Sequence, residues 1–136
     1  MYNEHSFQLD SRLEQDSLFV ARLPLSELRL FNCRELLWLI LVPQVPYITE
    51  FYQLSLPEQT LLLQELKELS QILATHFPCD KLNLASLGNL VPQLHFHVLA
   101  RRVNDPYWPN PAFGAPRTPY QEDEAKQLIT ELRAYL

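Results

Sequence analysis

Glycine is scarce in this sequence, which has 2 glycines and 11 prolines among 136 residues. Neither GxGxxG nor GxxxxGK[ST] occurs, so the glycine-rich loops of Rossmann folds and P-loop enzymes are excluded. Two cysteines are too few for a disulfide framework, and free thiols in a reducing compartment are the simpler interpretation. A formal charge of −5 argues against a broad basic surface for a nucleic-acid polymer.

Long hydrophobic runs are also missing. The longest, residues 36–43, is far shorter than the ~20 residues of a membrane span, and the N-terminus lacks the apolar stretch of a signal peptide. We therefore expect a cytoplasmic protein that does not enter a membrane. With 47% hydrophobic and 20% charged residues, the chain predicts one globular domain over residues 1–136.

The hydrophobic pattern predicts an α+β fold. Alternating and continuous apolar runs predict strands at residues 16–23, 26–32, 36–42, 81–87 and 91–101. Helical spacing predicts helices at residues 6–15, at 57–75 and from residue 118 to the C-terminus. The strongest helix signal is the capping-box pattern of Ser55 and Glu58, with Pro57 in the first turn.

Alternation in the last predicted strand brings Gln93, His95 and His97 to one face. The apolar residues between them then face the core, and we expect the histidine face to lie beside solvent. Two neighbouring imidazoles can act as nucleophile and proton donor, or can bind an anion. Arg101 shares this face by alternation, and arginine is a common phosphate ligand.

Two other interpretations of the histidines remain open. They could be incidental residues on an exposed strand, or they could be zinc ligands. Zinc requires three or four ligands, and the other histidines, His5 and His76, are distant in sequence, as are both cysteines. The pattern therefore predicts no metal site, and neither His5 nor His76 is a site candidate.

The segment QLHFHVLAR follows an apolar strand ending in Leu-Val-Pro and a glycine turn. In this context it resembles the histidine triad (HIT) superfamily of nucleotide hydrolases and transferases, whose signature is His-x-His-x-His followed by two apolar residues. The resemblance implies a bent antiparallel sheet of about five strands, with a long helix on one face and a C-terminal helix. It also implies a homodimer formed through the long helix and the sheet edge.

The resemblance also assigns roles to individual residues. His95 matches the middle histidine, which attacks the α-phosphorus and forms a nucleotidyl-histidine, and His97 matches its partner at the phosphate. Gln93 takes the place of the first histidine, and Trp38 that of a supporting histidine before the Val-Pro. Gln93 cannot titrate, so we expect these two positions to form an altered pair behind the nucleophile.

Matching positions also predict substrate contacts. These are Asn32 at the ribose or base, and Asn83 with the turn Gly88, Asn89 and Leu90 at the phosphates. Asn32 could equally be a turn residue, and Asn83 a polar residue on a strand face. No cofactor is required by the sequence, although a divalent cation could enter with the substrate.

The resemblance implies hydrolysis or transfer at the α-phosphate of a nucleotide or dinucleoside polyphosphate. Because Gln93 and Trp38 depart from the family pattern, a nucleotide-binding module with little or no turnover is the alternative. A purely structural dimer is a third hypothesis. Trapping of a nucleotidyl-enzyme separates the first two hypotheses, and nucleotide-dependent thermal stabilisation separates the second from the third.

Overall fold

The computed structural model describes residues 6–136. Its helices and strands are α1 (Ser11–Asp16), β1 (Ser17–Arg22), β2 (Ser26–Phe31), β3 (Leu37–Pro43), α2 (Leu56–His76), β4 (Lys81–Ala85), β5 (Phe96–Arg101) and α3 (Glu122–Arg133). A short 3-10 helix, Phe51–Gln53, lies in the connection from β3 to α2. Among these described residues, no helix is long and apolar enough to cross a membrane.

Helix α2 begins where the capping box predicts. The Ser55 hydroxyl accepts the backbone N–H of Glu58, and the Glu58 carboxylate accepts the N–H of Ser55 at 2.7 Å. Pro57 stands in the first turn, where a missing N–H leaves no helical bond unmade. Leu69 and Leu73 follow at helical spacing, and both are buried in the core beneath the helix.

The five strands form one antiparallel sheet in the order β1-β2-β3-β5-β4. Strand β5 is last in the chain but lies between β3 and β4. His97 consequently has Ile40 of β3 on one side and Ala85 of β4 on the other. The predicted α+β fold with a five-stranded antiparallel sheet and a long helix is confirmed.

Both faces of the sheet are covered. One face packs against α2 and α3 through a cluster that includes Leu30, Leu41, Leu69, Val98 and Leu132. The opposite face packs against residues 6–16, called here the N-terminal cover segment, and residues 103–118, called the C-terminal cover segment. Its cluster includes Leu13, Trp38, Ile40, Leu99 and Ala112. This second face is the one that carries the histidines.

Strand β5 begins at Phe96, five residues later than the predicted boundary at residue 91. The Leu94 N–H donates to the Ile48 carbonyl at 3.0 Å, in the connection after β3. Helix α1 is likewise shorter than the predicted 6–15, since the Asp10 carboxylate accepts the Arg12 N–H as an N-cap and residues 6–9 form no helix.

Helix α3 begins at Glu122 and not at the predicted residue 118. The backbone N–H groups of Thr118 and Tyr120 donate to the side chains of Glu35 and Asn32, at 2.9 and 2.8 Å. This stretch is therefore bound to the connection between β2 and β3 before the helix starts. The capping box that begins the helix is formed by Gln121 and Glu124.

Two ion pairs have the same i,i+4 spacing but differ in burial. Comparing them tests whether the buried pair anchors the C-terminal cover segment. Arg101 and Asp105 are 1% and 0% exposed, whereas Lys126 and Glu122 are 76% and 85% exposed. Asp105→Ala should lower the free energy of unfolding by about 3–5 kcal/mol, because Arg101 stays buried without a counter-ion. Glu122→Ala should leave urea unfolding unchanged. Equal midpoints for the two variants would contradict an anchoring role of the buried pair.

Candidate active site

The two motif histidines lie side by side where β5 begins. The ring centroids of His95 and His97 are 4.9 Å apart, and the ring planes are inclined by 72°. Both residues are buried, at 6% and 8% exposure. The two rings are therefore neighbours, as the alternation in the sequence predicts. The expectation that they face solvent is wrong, because the cover segments lie over this face of the sheet.

The hydrogen bond of His95 decides which ring nitrogen carries its proton. His95 Nδ1 lies 2.6 Å from the carbonyl oxygen of Gln93. A carbonyl oxygen can only accept, so Nδ1 carries the hydrogen and donates it. In the neutral ring the free lone pair is then on Nε2. His95 Nε2 is therefore ready to act as a nucleophile without a change of tautomer.

His97 has the opposite tautomer. The indole Nε1–H of Trp38 donates to His97 Nδ1 at 2.9 Å, and both residues are buried. An indole nitrogen only donates, so Nδ1 of His97 holds the lone pair and Nε2 carries the hydrogen. Adjacent imidazoles thus present complementary groups: a lone pair on His95 Nε2 and an N–H on His97 Nε2.

Both imidazoles are neutral at pH 7. Burial, with a smaller contribution from the neighbouring His95, lowers the pKa of His97 to about 3. Burial also lowers the pKa of His95, although the bond to the Gln93 carbonyl and the Asp10 carboxylate oppose that shift. Deprotonation is what a nitrogen nucleophile needs, so the environment favours the reactive form of His95.

Aromatic rings enclose the His97 side of the pair. The Phe113 ring of the C-terminal cover segment stands edge-on to His97 and Trp38, with centroids 5.0 and 5.3 Å away. Phe31 of β2 contacts the other side of Trp38 at 4.3 Å. Sequence reasoning missed Phe113, because a proline-rich segment carries no periodic signal that shows which of its aromatic residues turns inward.

The Gln93 side chain does not join the histidines. Its Oε1 accepts the Asp10 N–H at 2.8 Å, and its Nε2 donates to the Gln8 carbonyl at 2.8 Å. The assignment of Gln93 as a catalytic side chain is therefore corrected: it binds the N-terminal cover segment, and only its backbone carbonyl touches His95. The expected Gln93–Trp38 pair is also wrong, because the hydrogen-bond partner of Trp38 is His97.

Arg101 is another correction. Its guanidinium is fully buried and donates to both carboxylate oxygens of Asp105, at 2.8 and 3.1 Å. The remaining terminal nitrogen donates to Asn83 Oδ1 at 3.0 Å. Arg101 lies four residues beyond His97, about 13 Å along the strand. Arg101 and Asn83 thus contact each other inside the fold, and the structure does not place them with the histidines.

Asn32 and the glycine turn were the remaining predicted substrate contacts. Asn32 Oδ1 accepts the Tyr120 N–H, so the side chain holds the chain before α3. Gly88 adopts a φ of +71°, where a side chain would be strained, and the following Asn89 and Leu90 are exposed. The Leu90 carbonyl accepts from Arg12 of the N-terminal cover segment at 2.9 Å. Substrate binding by the turn stays a prediction.

Two cavities flank the histidine face. One of about 180 Å³ opens beside Trp38 and is lined by Phe31, Tyr107 and Arg117 among others. Another of about 410 Å³ lies between the N-terminal cover segment and residues 46–49, with Gln93 in its wall. A larger cavity, of about 500 Å³, lies beside α2 and the C-terminus and contains none of the predicted site residues.

His76 lies apart from this site. His76 is exposed at the end of α2, where its ring stacks on Tyr135 with centroids 3.9 Å apart, and His5 lies outside the described residues. Within residues 6–136, no group of three or more His, Cys, Asp or Glu side chains is placed to hold a metal ion.

The fold and the histidine pair together define a class of protein, and sequence comparison identifies it. The model of the HIT domain family matches residues 12–104, which is more than half of the chain. This chain therefore belongs to the HIT domain family. A search of curated proteins gave no match.

Solved structures of bacterial histidine triad proteins agree with this assignment. The protein from Marinobacter aquaeolei VT8 superposes with a TM-score of 0.94 and 39% identity, over 96% of each chain. The protein from Sinorhizobium meliloti 1021 gives 0.92 and 39%, over 96% of this chain and 97% of that one. The protein from Bradyrhizobium japonicum gives 0.92 and 38%, over 96% and 98%. The similarity therefore extends beyond residue 104 into the C-terminal part.

The buried neutral His97 should make the protein less stable in acid. Its pKa in the folded state is about 3, whereas an unfolded histidine has a pKa near 6.5, so only the unfolded chain takes up this proton between those values. Stability is thus lost as the pH falls below about 6.5, by about 2 kcal/mol at pH 5 from this one group. Urea unfolding should show a smaller loss between pH 7 and pH 5 for His97→Gln than for wild type. Equal losses would contradict the neutral buried state.

Proposed function

We propose that this protein hydrolyses, or transfers, the nucleotidyl group of a nucleotide or dinucleoside polyphosphate through a nucleotidyl-His95 intermediate. The observation that carries the proposal is the complementary pair of tautomers. His95 presents a lone pair on Nε2, and His97, 4.9 Å away between ring centroids, presents an N–H. A nucleophile beside a fixed donor is what displacement at a phosphate requires.

The first step breaks one bond to phosphorus and forms another. The lone pair of His95 Nε2 attacks the α-phosphorus, and the bond to the bridging oxygen breaks, so the leaving phosphate departs with the electron pair. His97 Nε2–H donates a hydrogen bond to the oxygen on which negative charge develops. The Gln93 carbonyl, which holds Nδ1–H, stabilises the positive charge that the ring gains on attack.

The second step returns the enzyme to its starting state. Water attacks the phosphorus, the nitrogen–phosphorus bond breaks, and its electron pair returns to Nε2 of His95. The water proton leaves to solvent or to the nucleotide product. An acceptor other than water would make the same chemistry a nucleotidyl transfer. No step requires a resident cofactor, and a divalent cation would enter bound to the substrate phosphates.

A nucleotide-binding module without turnover is the alternative. The departures of Gln93 and Trp38 from the family signature support it, because neither residue supplies the imidazole of that pattern. The two hypotheses differ in the covalent intermediate. A module would be stabilised thermally by nucleotides and would never carry a nucleotidyl adduct.

The test combines turnover with trapping of the intermediate. Nucleotides and dinucleoside polyphosphates are screened for hydrolysis, and acid-free quenching followed by intact-mass measurement detects a nucleotidyl adduct. His95→Ala should abolish the adduct and lower turnover by about 10³-fold or more, because the nucleophile is gone. His76→Ala, an exposed histidine outside the site, is the matched control and should behave as wild type. Turnover by folded His95→Ala would exclude the mechanism, and stabilisation without any adduct would favour the binding module.

We also propose that a second copy of this chain packs against α2 and the outer edge of β4. Strand β4 is the last strand of the sheet, and its Leu84 is 50% exposed. Along α2, an apolar cavity of about 420 Å³ is lined by Phe51, Leu62, Leu66 and Phe96, with Leu63 at 69% exposure. Unpaired edges and apolar patches of this kind are typical of interfaces between identical subunits.

Light scattering on a sizing column tests the dimer. Leu63→Asp should shift the protein from dimer to monomer, since a carboxylate would be buried at the apolar interface. Leu136→Asp is the control, because Leu136 is also exposed, at 48%, but lies by the cavity at the C-terminus. A monomeric wild type, or a Leu63→Asp variant that remains dimeric, would refute this interface.

We further propose a cytoplasmic location. Cys33 and Cys79 are both free, and burial raises the pKa of each thiol, which keeps it protonated and unreactive. Free thiols persist most readily in a reducing compartment.

A further inference from the structure

The hydrogen-bond partner of His97 is an indole, whereas that of His95 is a backbone carbonyl. Trp38 lies on β3 with 4% exposure, and its one polar atom, the indole nitrogen, donates to His97 Nδ1 at 2.9 Å. An indole neither accepts through its nitrogen nor titrates in the range where proteins fold. The hydrogen bond that it offers therefore has one direction at every pH.

A one-directional partner restricts His97 to one state. If the His97 proton moved to Nδ1, two N–H groups would face each other and the buried indole would lose its acceptor. An imidazolium ring carries hydrogens on both nitrogens and meets the same conflict. A buried donor without an acceptor is costly, so the tautomer with its hydrogen on Nε2 is strongly favoured.

The surroundings prevent Trp38 from turning away. Phe31 lies against one side of its ring with centroids 4.3 Å apart, and Phe113 stands edge-on at 5.3 Å. Phe113 also contacts the His97 ring at 5.0 Å. The indole and the imidazole are thus held in one relative orientation by rings from β2 and from the C-terminal cover segment.

We propose that Trp38 is a positioning residue. It locks His97 as a neutral hydrogen-bond donor through Nε2 in mildly acidic as well as neutral solution. The tautomer lock is a property of the folded chain alone. Its kinetic consequence rests on the proposed function: His97 would hold its hydrogen bond to the reacting phosphate in acid as well as at neutral pH. Trp38 itself touches no reacting atom.

The lock is tested first without substrate, by nitrogen-15 NMR of the histidine rings between about pH 5 and pH 8. In wild type, His97 should show a hydrogen on Nε2 alone and no titration over this range. In Trp38→Phe, which keeps an aromatic ring but lacks the donor, His97 should lose its single tautomer, because either ring nitrogen can then carry the hydrogen. The matched control is Trp108→Phe. Trp108 lies over Arg101 with 5.6 Å from the guanidinium carbon to the ring centroid, so His97 should stay as in wild type.

A wild-type spectrum with the His97 hydrogen on Nδ1 would overturn the proposal, and so would a Trp38→Phe spectrum identical to that of wild type. The first of these readouts needs no variant, so the proposal stays testable even if Trp38→Phe folds poorly. Assignment of the His97 signals follows from their loss in His97→Gln.

Kinetics provide the second arm. Trp38→Phe should lower kcat by about 10–100-fold, the range seen when the partner of a metal-bound histidine is removed. KM should change little, because the donor acts mainly on developing charge, and Trp108→Phe should keep the wild-type kcat. A folded Trp38→Phe variant with the kcat of wild type would overturn the kinetic role of the lock. If wild type shows no turnover, the proposed function fails, and the NMR result alone decides the lock.

Discussion

A buried ion pair joins the end of β5 to the C-terminal cover segment, which lies over the histidines. Arg101 and Asp105 meet through two hydrogen bonds of 2.8 and 3.1 Å, and Asp105 also accepts the N–H groups of Arg102 and Tyr107. Removing either charge would leave the other buried alone, which is among the costlier defects in a protein core. The course of the C-terminal cover segment follows from this anchor, and with it the approach of Phe113 to His97.

Enclosure by the two cover segments explains the electrostatic state of the site. Histidines at a sheet surface would titrate near pH 6.5, whereas burial here keeps both rings neutral. With charge removed, the hydrogen bonds alone determine the chemistry. A backbone carbonyl orients His95, and an indole orients His97 in the opposite sense. Neighbouring residues of the same type thereby acquire different roles, as the proposed nucleophile and the proposed donor.

Gln93 illustrates how a motif position can serve the fold. The first position of the histidine triad here carries an amide, and the amide binds the backbone of residues 8 and 10 on both sides. Gln93 departs from the family signature, and its side chain binds the N-terminal cover segment.

Local pattern alone determined a large part of this protein. Helical spacing and the Ser55–Glu58 capping box predict α2 to within a residue at each end, and alternation predicts that His95 and His97 are neighbours. These features depend on residues close in sequence, whose geometry is set by the backbone period. The tertiary structure decided the burial of the histidines, their tautomers, the contact of Phe113 and the internal role of Arg101. Each of these depends on residues far apart in the chain, such as Trp38 and His97, which are separated by 59 positions. No periodicity records such pairings, because they arise only when the sheet order and the cover segments bring the partners together.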